Sequence, residues 1–238
     1  MEDSPGTLYI VATPIGNLED ITFRAVNVLK QVNLIAAEDT RRTRILLNAH
    51  GIKSDLTSYH DYNKERQGEK LLRVLLSGKS VALVSDAGTP GVSDPGYYVI
   101  NLAIRHNIPI IPIPGVSAMI TALSASGLPS DRFCFEGFLP KKSHARRTFI
   151  HQHKDEERTF IFYESPYRIV ATLQDFLDIC GERWVVVGRE LTKLYEEIIR
   201  GSLSDVIKTL SAKKNKGEFT VLISSSRYTG KVLPLKKE

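Results

Sequence analysis

The sequence predicts an α/β protein of two α/β domains, with a mainly parallel sheet in the first and a mixed sheet in the second. Three observations predict it. Short apolar runs (Leu8 to Ala12, Leu34 to Ala37, Val81 to Val84) alternate with helix-period segments through the first half, the pattern of strand–helix–strand units. The run Val81–Val84 has no polar alternation, as expected of a strand covered on both faces. In the second half, Trp184 to Arg189 and Tyr195 to Arg200 read as successive strands with no helix between them. A parallel pair would need a long crossover there, so this sheet is mixed. The boundary falls near Pro112–Leu128, placing the domains at residues 1–115 and 116–238.

The first half is read element by element. After Leu8 to Ala12, the turn Thr13-Pro14-Ile15-Gly16-Asn17 leads to a helix that Asn17 or Asp20 can cap, with Ile21, Ala25, Val28, Leu29 and Val32 on one face. Leu34 to Ala37 is a strand ending at Glu38-Asp39, and a short helix spans about 42–48. Asp55 to Tyr59 is a weak strand ending at His60-Asp61. Leu71, Leu72, Leu75 and Leu76 mark a helix stopped by Gly78. Val81–Val84 then runs into the loop Asp86 to Gly96, which holds Gly88, Pro90, Gly91, Pro95 and Gly96. Glycine allows positive φ and close backbone approach to a ligand. Asp94-Pro95 reads as a cap followed by proline at the first helical position, opening a helix to about His106. Ile108 to Ile113 carries Pro109 and Pro112, which places it at a strand end or sheet edge. Pro114-Gly115-Val116-Ser117 opens a helix rich in small residues that closes at Gly127.

In the second half Phe133 to Phe138 is a strand, followed by a basic loop and a short helix. Thr159 to Tyr163 is a strand, Tyr167 to Ile179 a helix and Trp184 to Arg189 a strand. Tyr195 to Arg200 and Glu218 to Ile223 are strands around a helix at about Leu203 to Leu210.

Composition narrows the function classes. The 238 residues are 42% hydrophobic and 25% charged, enough for a real core. No apolar run approaches a membrane span and no signal-peptide n-region precedes Leu8. Cys134 and Cys180 lie far apart among apolar neighbours, which points to two buried thiols in a reducing, cytoplasmic setting. The net charge of +5 is concentrated at Lys141-Lys142-Ser143-His144-Ala145-Arg146-Arg147, Lys213-Lys214-Asn215-Lys216 and the tail Lys236-Lys237. Each run alone suits a solvated face; together they make a polyanion such as nucleic acid a candidate partner. Neither GxxxxGK[ST] nor GxGxxG occurs. His151-Gln152-His153 has no further ligand near it in sequence, and no metal site is assigned.

What remains is a set of polar strand ends: Glu38-Asp39, His60-Asp61 and Ser85-Asp86. In a parallel sheet they gather on one edge, where ligands bind in open α/β folds. Such carboxylates can hold ribose hydroxyls, balance a cation, act as a general base or simply cap turns.

The ordered motifs Tyr9-Ile10-Val11-Ala12-Thr13-Pro14-Ile15-Gly16-Asn17-Leu18, Ala37-Glu38-Asp39-Thr40-Arg41, Ser58-Tyr59-His60, Ser85 to Gly96 and Pro114-Gly115-Val116-Ser117-Ala118 are joined by Phe138-Leu139-Pro140, Phe162 to Arg168, Arg189 to Lys193 and Gly217 to Thr220. Over nearly the whole chain this set resembles the ribosomal RNA branch of the tetrapyrrole methylase superfamily, the class III S-adenosylmethionine (SAM)-dependent methyltransferases. The turn Thr13-Pro14-Ile15-Gly16-Asn17 replaces the GxGxG turn usual in relatives that methylate small tetrapyrroles.

The resemblance implies 2′-O-methylation of a cytidine in 16S rRNA near the decoding region, SAM in a cleft between the two domains, and a homodimer. It implies SAM contacts from Pro14, Ile15, Asp86, Thr89, Ser117, Ala118, Tyr163, Glu218 and Thr220. It also implies a base, for which Glu38, Asp39 and His60 are the candidates. Phosphate contacts are expected from Arg41, Arg42, Lys141, Lys142, Arg146, Arg147, Arg168, Arg189 and Lys193. Family members often carry a further C-terminal segment; here a short basic tail follows the last strand. Two other readings stand beside this one: a methylase of the same superfamily acting on an anionic tetrapyrrole, and a non-enzymatic RNA-binding module.

Overall fold

In a computed structural model, which describes residues 4–228, the chain divides into two compact units, 1–117 and 118–238. Unit 1 alternates strand and helix throughout: β1 (Leu8–Val11), α1 (Phe23–Gln31), β2 (Leu34–Ala37), α2 (Thr40–Ala49), β3 (Leu56–Ser58), α3 (Lys64–Leu76), β4 (Val81–Val84), α4 (Gly96–Arg105) and β5 (Ile110–Ile113). Its sheet has the order β3-β2-β4-β1-β5, and every pair is parallel. The unbroken apolar run of β4 is explained by its two coats. Val81 and Leu83 join Leu71, Leu75 and Val99 of α3 and α4 on one face. Ala82 and Val84 join Ala25, Leu29 and Leu47 of α1 and α2 on the other. Pro112 sits on edge strand β5 opposite Ile10, where the missing N–H costs no central ladder bond.

Two caps differ from expectation. Asp20 does not cap α1: Thr22 does, its hydroxyl accepting from the Ala25 N–H, while Asn17 caps a separate 3-10 turn at Leu18–Asp20. Threonine immediately before the helix outcompetes an aspartate held inside that turn. At α4, Pro95 occupies the cap position and the helix begins at Gly96. The Asp94 carboxylate still accepts the Gly96 N–H at 2.8 Å, and it also accepts the Gly91 N–H at 2.6 Å. Asp94 thus ties the loop to the first turn.

Unit 2 contains α5 (Ala118–Ser124), β6 (Phe133–Phe138), α6 (Ser143–Gln152), β7 (Thr159–Glu164), α7 (Ile169–Cys180), β8 (Trp184–Arg189), β9 (Glu197–Ser202), α8 (Leu203–Ser211) and β10 (Phe219–Ile223). The order is β6-β7-β10-β8-β9; only β6 and β7 run parallel. Phe160, Phe162 and Phe176 centre its core, with Phe162 and Phe176 stacked at 5.4 Å. Strand β9 starts at Glu197, later than expected, because residues 190–196 form a braced loop in which Glu190 and Thr192 hold positive φ. Cys134 is buried but Cys180 is only half-buried; burial raises both thiols, Cys134 to about 11. Among the described residues no helix is long and apolar enough to cross a membrane. Lys236 and Lys237 lie outside the described residues.

Candidate active site at the carboxyl edge of the parallel sheet

Parallel order brings the carboxyl ends of β3, β2, β4 and β1 side by side, so the polar strand ends share one edge. The ends of β2 and β4 are bonded reciprocally. The Asp39 N–H donates to Asp86 Oδ1 at 2.9 Å, and the Asp86 N–H donates to Glu38 Oε2 at 3.5 Å. Arg42 Nη1 reaches Asp86 Oδ2 at 3.4 Å from the exposed side. The neighbouring end of β1 is joined in turn. Thr13 and Gly88 exchange two backbone hydrogen bonds of 2.9 Å, and the Thr13 hydroxyl donates to the Ser85 carbonyl at 3.1 Å. Gly88 holds φ +82°, a conformation that side chains rarely adopt. Thr13, Pro14, Leu18, Arg42, Thr43, Leu46, Ser85 and Asp86 line a shallow pocket on this edge.

The carboxyl groups here are not equivalent. Glu38 is pushed above its ordinary range, first by burial and then by the Asp86 carboxylate, with smaller contributions from Asp94 and Asp61; the Asp86 N–H opposes them. Asp94 is also raised by burial, against its hydrogen bonds from Gly96 and Gly91. Glu38 and Asp94 line the same small cavity with Tyr59, Ser85 and Pro90. Asp39 is the opposite case. Arg41 holds it well below the usual carboxylate range through its side chain and its backbone N–H. Asp39 Oδ1 accepts from the Arg41 N–H and Nε, and Oδ2 from Nη2 at 2.7 Å, so Asp39 is the cap of α2 with both oxygens occupied. Of the two carboxylates, Glu38 has the electrostatics of a proton acceptor.

His60 stands at the end of β3. Its backbone N–H donates to Asn63 Oδ1 at 2.9 Å, and its ring Nε2 lies 3.1 Å from Asn63 Nδ2. Asn63 escaped the sequence reading because an asparagine just before a helix reads as an ordinary cap. Thr13 escaped it as a turn residue; only the strand order sets it against β4.

The residues expected to hold SAM fall as follows. In unit 1, Pro14 and Ile15 are buried in the turn after β1, and Asp86 and Thr89 are half-buried in the loop after β4. The Thr89 hydroxyl donates to the Val116 carbonyl at 3.4 Å, next to Ser117. Gly115 in this turn lies so close to Ala12 that an added Cβ would stand 2.9 Å from the alanine Cβ. In unit 2, Ala118 opens α5, and the Tyr163 phenol accepts from the Met119 N–H. Thr220 of β10 is the register partner of Tyr163. Glu218 is exposed and paired with Lys193 at 2.9 Å.

The basic candidates divide into free and committed groups. Lys141 and Lys142 are exposed, with no ion pair among the described residues. Arg41 and Arg42 are exposed and lean on Asp39 and Asp86. Arg146 is a core residue instead: its side chain is 5% exposed, with Nε and Nη2 both on Asp175. Arg147 bridges Asp175 and Asp178. Arg168 pairs with the fully buried Glu164 at 2.6 Å, and Thr172 donates to the same carboxylate. Arg189 holds Glu197 and the Lys216 carbonyl, and Lys193 holds Glu190 and Glu218.

Residues 7–207 match the family model of the tetrapyrrole (corrin/porphyrin) methylases. The chain is 51% identical over 224 residues to ribosomal RNA small subunit methyltransferase I of Halalkalibacterium halodurans, covering 94% of this chain and 78% of that one. It is 48% identical over 219 residues to the Thermotoga maritima protein of the same name, covering 92% and 98%. Among solved structures, cobalt precorrin-4 methyltransferase superposes with TM-score 0.70 at 18% identity, covering 92% of this chain and 94% of that one. Uroporphyrin-III C-methyltransferase of Thermus thermophilus, complexed with S-adenyl homocysteine, superposes at 0.64 and 19%, covering 91% and 97%. These two similarities establish the fold. With a methylase model spanning most of its length and relatives about half identical over nearly all of it, the chain belongs to the tetrapyrrole methylases and, within them, to the ribosomal RNA small subunit methyltransferase I family.

Proposed function

We propose that this chain transfers the methyl group of SAM to the 2′-hydroxyl of a cytidine in 16S ribosomal RNA near the decoding region, with Glu38 accepting the proton. The observation that carries this reading is the Glu38–Asp86 arrangement. It puts a half-buried carboxyl of raised proton affinity beside the glycine loop of a chain that belongs to an rRNA methyltransferase family. SAM supplies an electrophilic methyl on a sulfonium. The residues present suit that cosubstrate. Asp86 and Glu218 offer carboxylates, Thr89, Ser117 and Thr220 hydroxyls, Tyr163 a phenol, and Pro14, Ile15 and Ala118 apolar surface. Thr89 and Ser117 lie in unit 1 with Pro14, Ile15 and Asp86; the others belong to unit 2.

Transfer is an in-line displacement, so the protein's first task is to hold the ribose oxygen on the line of the breaking sulfur–carbon bond. Such positioning is worth up to about 7–11 kcal/mol in favourable cases. With SAM bound, its carbon–sulfur bond would break as the ribose oxygen takes the methyl group, and Glu38 would accept the hydroxyl proton. Lys141, Lys142, Arg41 and Arg42 are the exposed cations that suit phosphate contact. The assembled small subunit as target, a homodimer as the working unit and a cytoplasmic setting complete the proposal.

The test incubates the protein and labelled SAM with small subunits lacking the modification, and separately with a precursor tetrapyrrole, and then maps the label. Label on a cytidine 2′-oxygen supports the reading. Label only on the tetrapyrrole replaces it with the small-molecule reading, and no transfer with SAM unbound favours a binding module.

A further inference from the structure

The pair His60–Asn63 allows one step more. Asn63 occupies the cap position of α3, yet its side chain makes no capping hydrogen bond. Asparagine there ordinarily accepts an N–H of the first turn. Here it turns back instead, to the strand end. Its amide orientation follows from a donor of fixed identity: the His60 backbone N–H can only donate, so the Asn63 atom 2.9 Å from it is Oδ1. The other amide atom is therefore Nδ2, and its two hydrogens point at His60 Nε2 (3.1 Å) and at Ser58, with Oγ at 3.3 Å and the carbonyl at 3.5 Å. A protonated Nε2 would set donor against donor. Nε2 must be the acceptor, and the ring proton of neutral His60 resides on Nδ1. That Nδ1 is shielded from solvent and has no partner among the described residues. A buried donor without an acceptor is a standing cost.

We propose that Asn63 is a positioning residue that locks His60 as its Nδ1–H tautomer, so that His60 does not serve methyl transfer as the base. The exclusion of His60 as base rests on the function proposed above; the tautomer itself does not. With Nε2 engaged by Asn63 and Nδ1 carrying the proton, neither ring nitrogen has a lone pair to offer. This leaves Glu38 as the proton acceptor on this edge.

The tautomer is read without RNA or SAM, by two-bond proton–nitrogen correlation on protein labelled at its six histidines, with the His60 signals assigned from His60→Asn. The expected pattern is a protonated Nδ1 and a bare Nε2. In Asn63→Asp the carboxylate still accepts the backbone N–H but now also takes a ring proton, so the pattern moves to Nε2–H or to imidazolium. An Nε2–H pattern in the unaltered protein, or one unmoved in both Asn63→Asp and Asn63→Ala, overturns the lock. A purely structural Asn63 would leave the signature untouched, and aspartate suits the cap position, so that variant folds. For the role, His60→Asn and His60→Ala both remove the ring. His60→Asn and His60→Ala should each lose no more than about five- to tenfold, the scale of one hydrogen bond. A loss of about 10²–10⁴-fold in both would mean that His60 is the base, and overturns the proposal. If the unaltered protein shows the tautomer yet methylates no small subunit, the function proposed above fails while the lock stands.

Discussion

The Asp39 backbone N–H donates to Asp86 Oδ1 across 2.9 Å, tying the carboxyl end of β2 to that of β4. The same aspartate returns its own N–H to Glu38 and draws Arg42 to its second oxygen. Asp86 therefore organises the edge on which the chemistry is proposed, and its charge adds to the rise that burial gives the proton affinity of Glu38.

Glu38→Gln keeps the acceptor for the Asp86 N–H but removes the proposed base. Methyl transfer should fall by about 10²–10⁴-fold, while SAM affinity measured by calorimetry stays within about threefold. Asp39→Asn, which weakens a helix cap, should cost far less in turnover. Equal losses in the two variants would return Asp39 to the role of base.

The pH dependence follows from the same group. Glu38 must be ionised to accept a proton and its folded pKa is raised, so activity should fall on acidification at a pH above the ordinary glutamate range. The Asp86 charge contributes to that rise. Asp86→Asn keeps an oxygen for the Asp39 N–H but removes the charge, so it should move the acid limb of the rate profile to lower pH. An acid limb that stays in place would show that another group sets it.

Asp86→Ala removes the acceptor as well. SAM binding should weaken about tenfold to a hundredfold, matching the loss of a charge-assisted hydrogen bond of about 1.5–3 kcal/mol. Calorimetry checks this, and unchanged affinity would move the pocket off this loop.

Lys141 and Lys142 are exposed and make no ion pair among the described residues, so each phosphate contact they make should appear in the salt dependence of RNA binding. Replacing both with alanine should lower the slope of log K against log salt by about 0.7–0.9 per lost contact. A slope identical to that of the unaltered protein would take the RNA away from this loop.

Asp175 holds two arginines, one of them inside the core of unit 2. Asp175→Ala strands the Arg146 charge and should cost about 3–5 kcal/mol in denaturant unfolding. This is why alanine at Arg146 reports on folding rather than on RNA. A loss under about 1 kcal/mol would show that Arg146 finds another partner.

Much of the fold was legible because hydrophobic period and turn residues are local signals. The all-apolar Val81–Val84 announced a strand coated on both sides, and Pro112 announced an edge. The caps were less legible. Asn17, Asp20 and Thr22 are all plausible caps by type, and only the chain path shows that the first two belong to a separate 3-10 turn. Arg146 and Arg147 looked alike as neighbours in a basic run. The helix that carries them turns one into the core and leaves the other at its margin.

The sequence by itself determined the class of the sheet, the placement of carboxylates at strand ends and, through its ordered motifs, the family. Those properties are carried by residue type and spacing along the chain. The division of labour proposed for Glu38, Asp39 and His60 rests on tertiary structure alone. Each bears a group that could accept a proton, and what distinguishes them is contact with residues distant in sequence or folded back across a turn. Burial beside Asp86 raises Glu38, Arg41 occupies Asp39, and the turned-back Asn63 takes the ring nitrogen of His60. Proton affinity is a property of the surroundings, and folding assembles the surroundings.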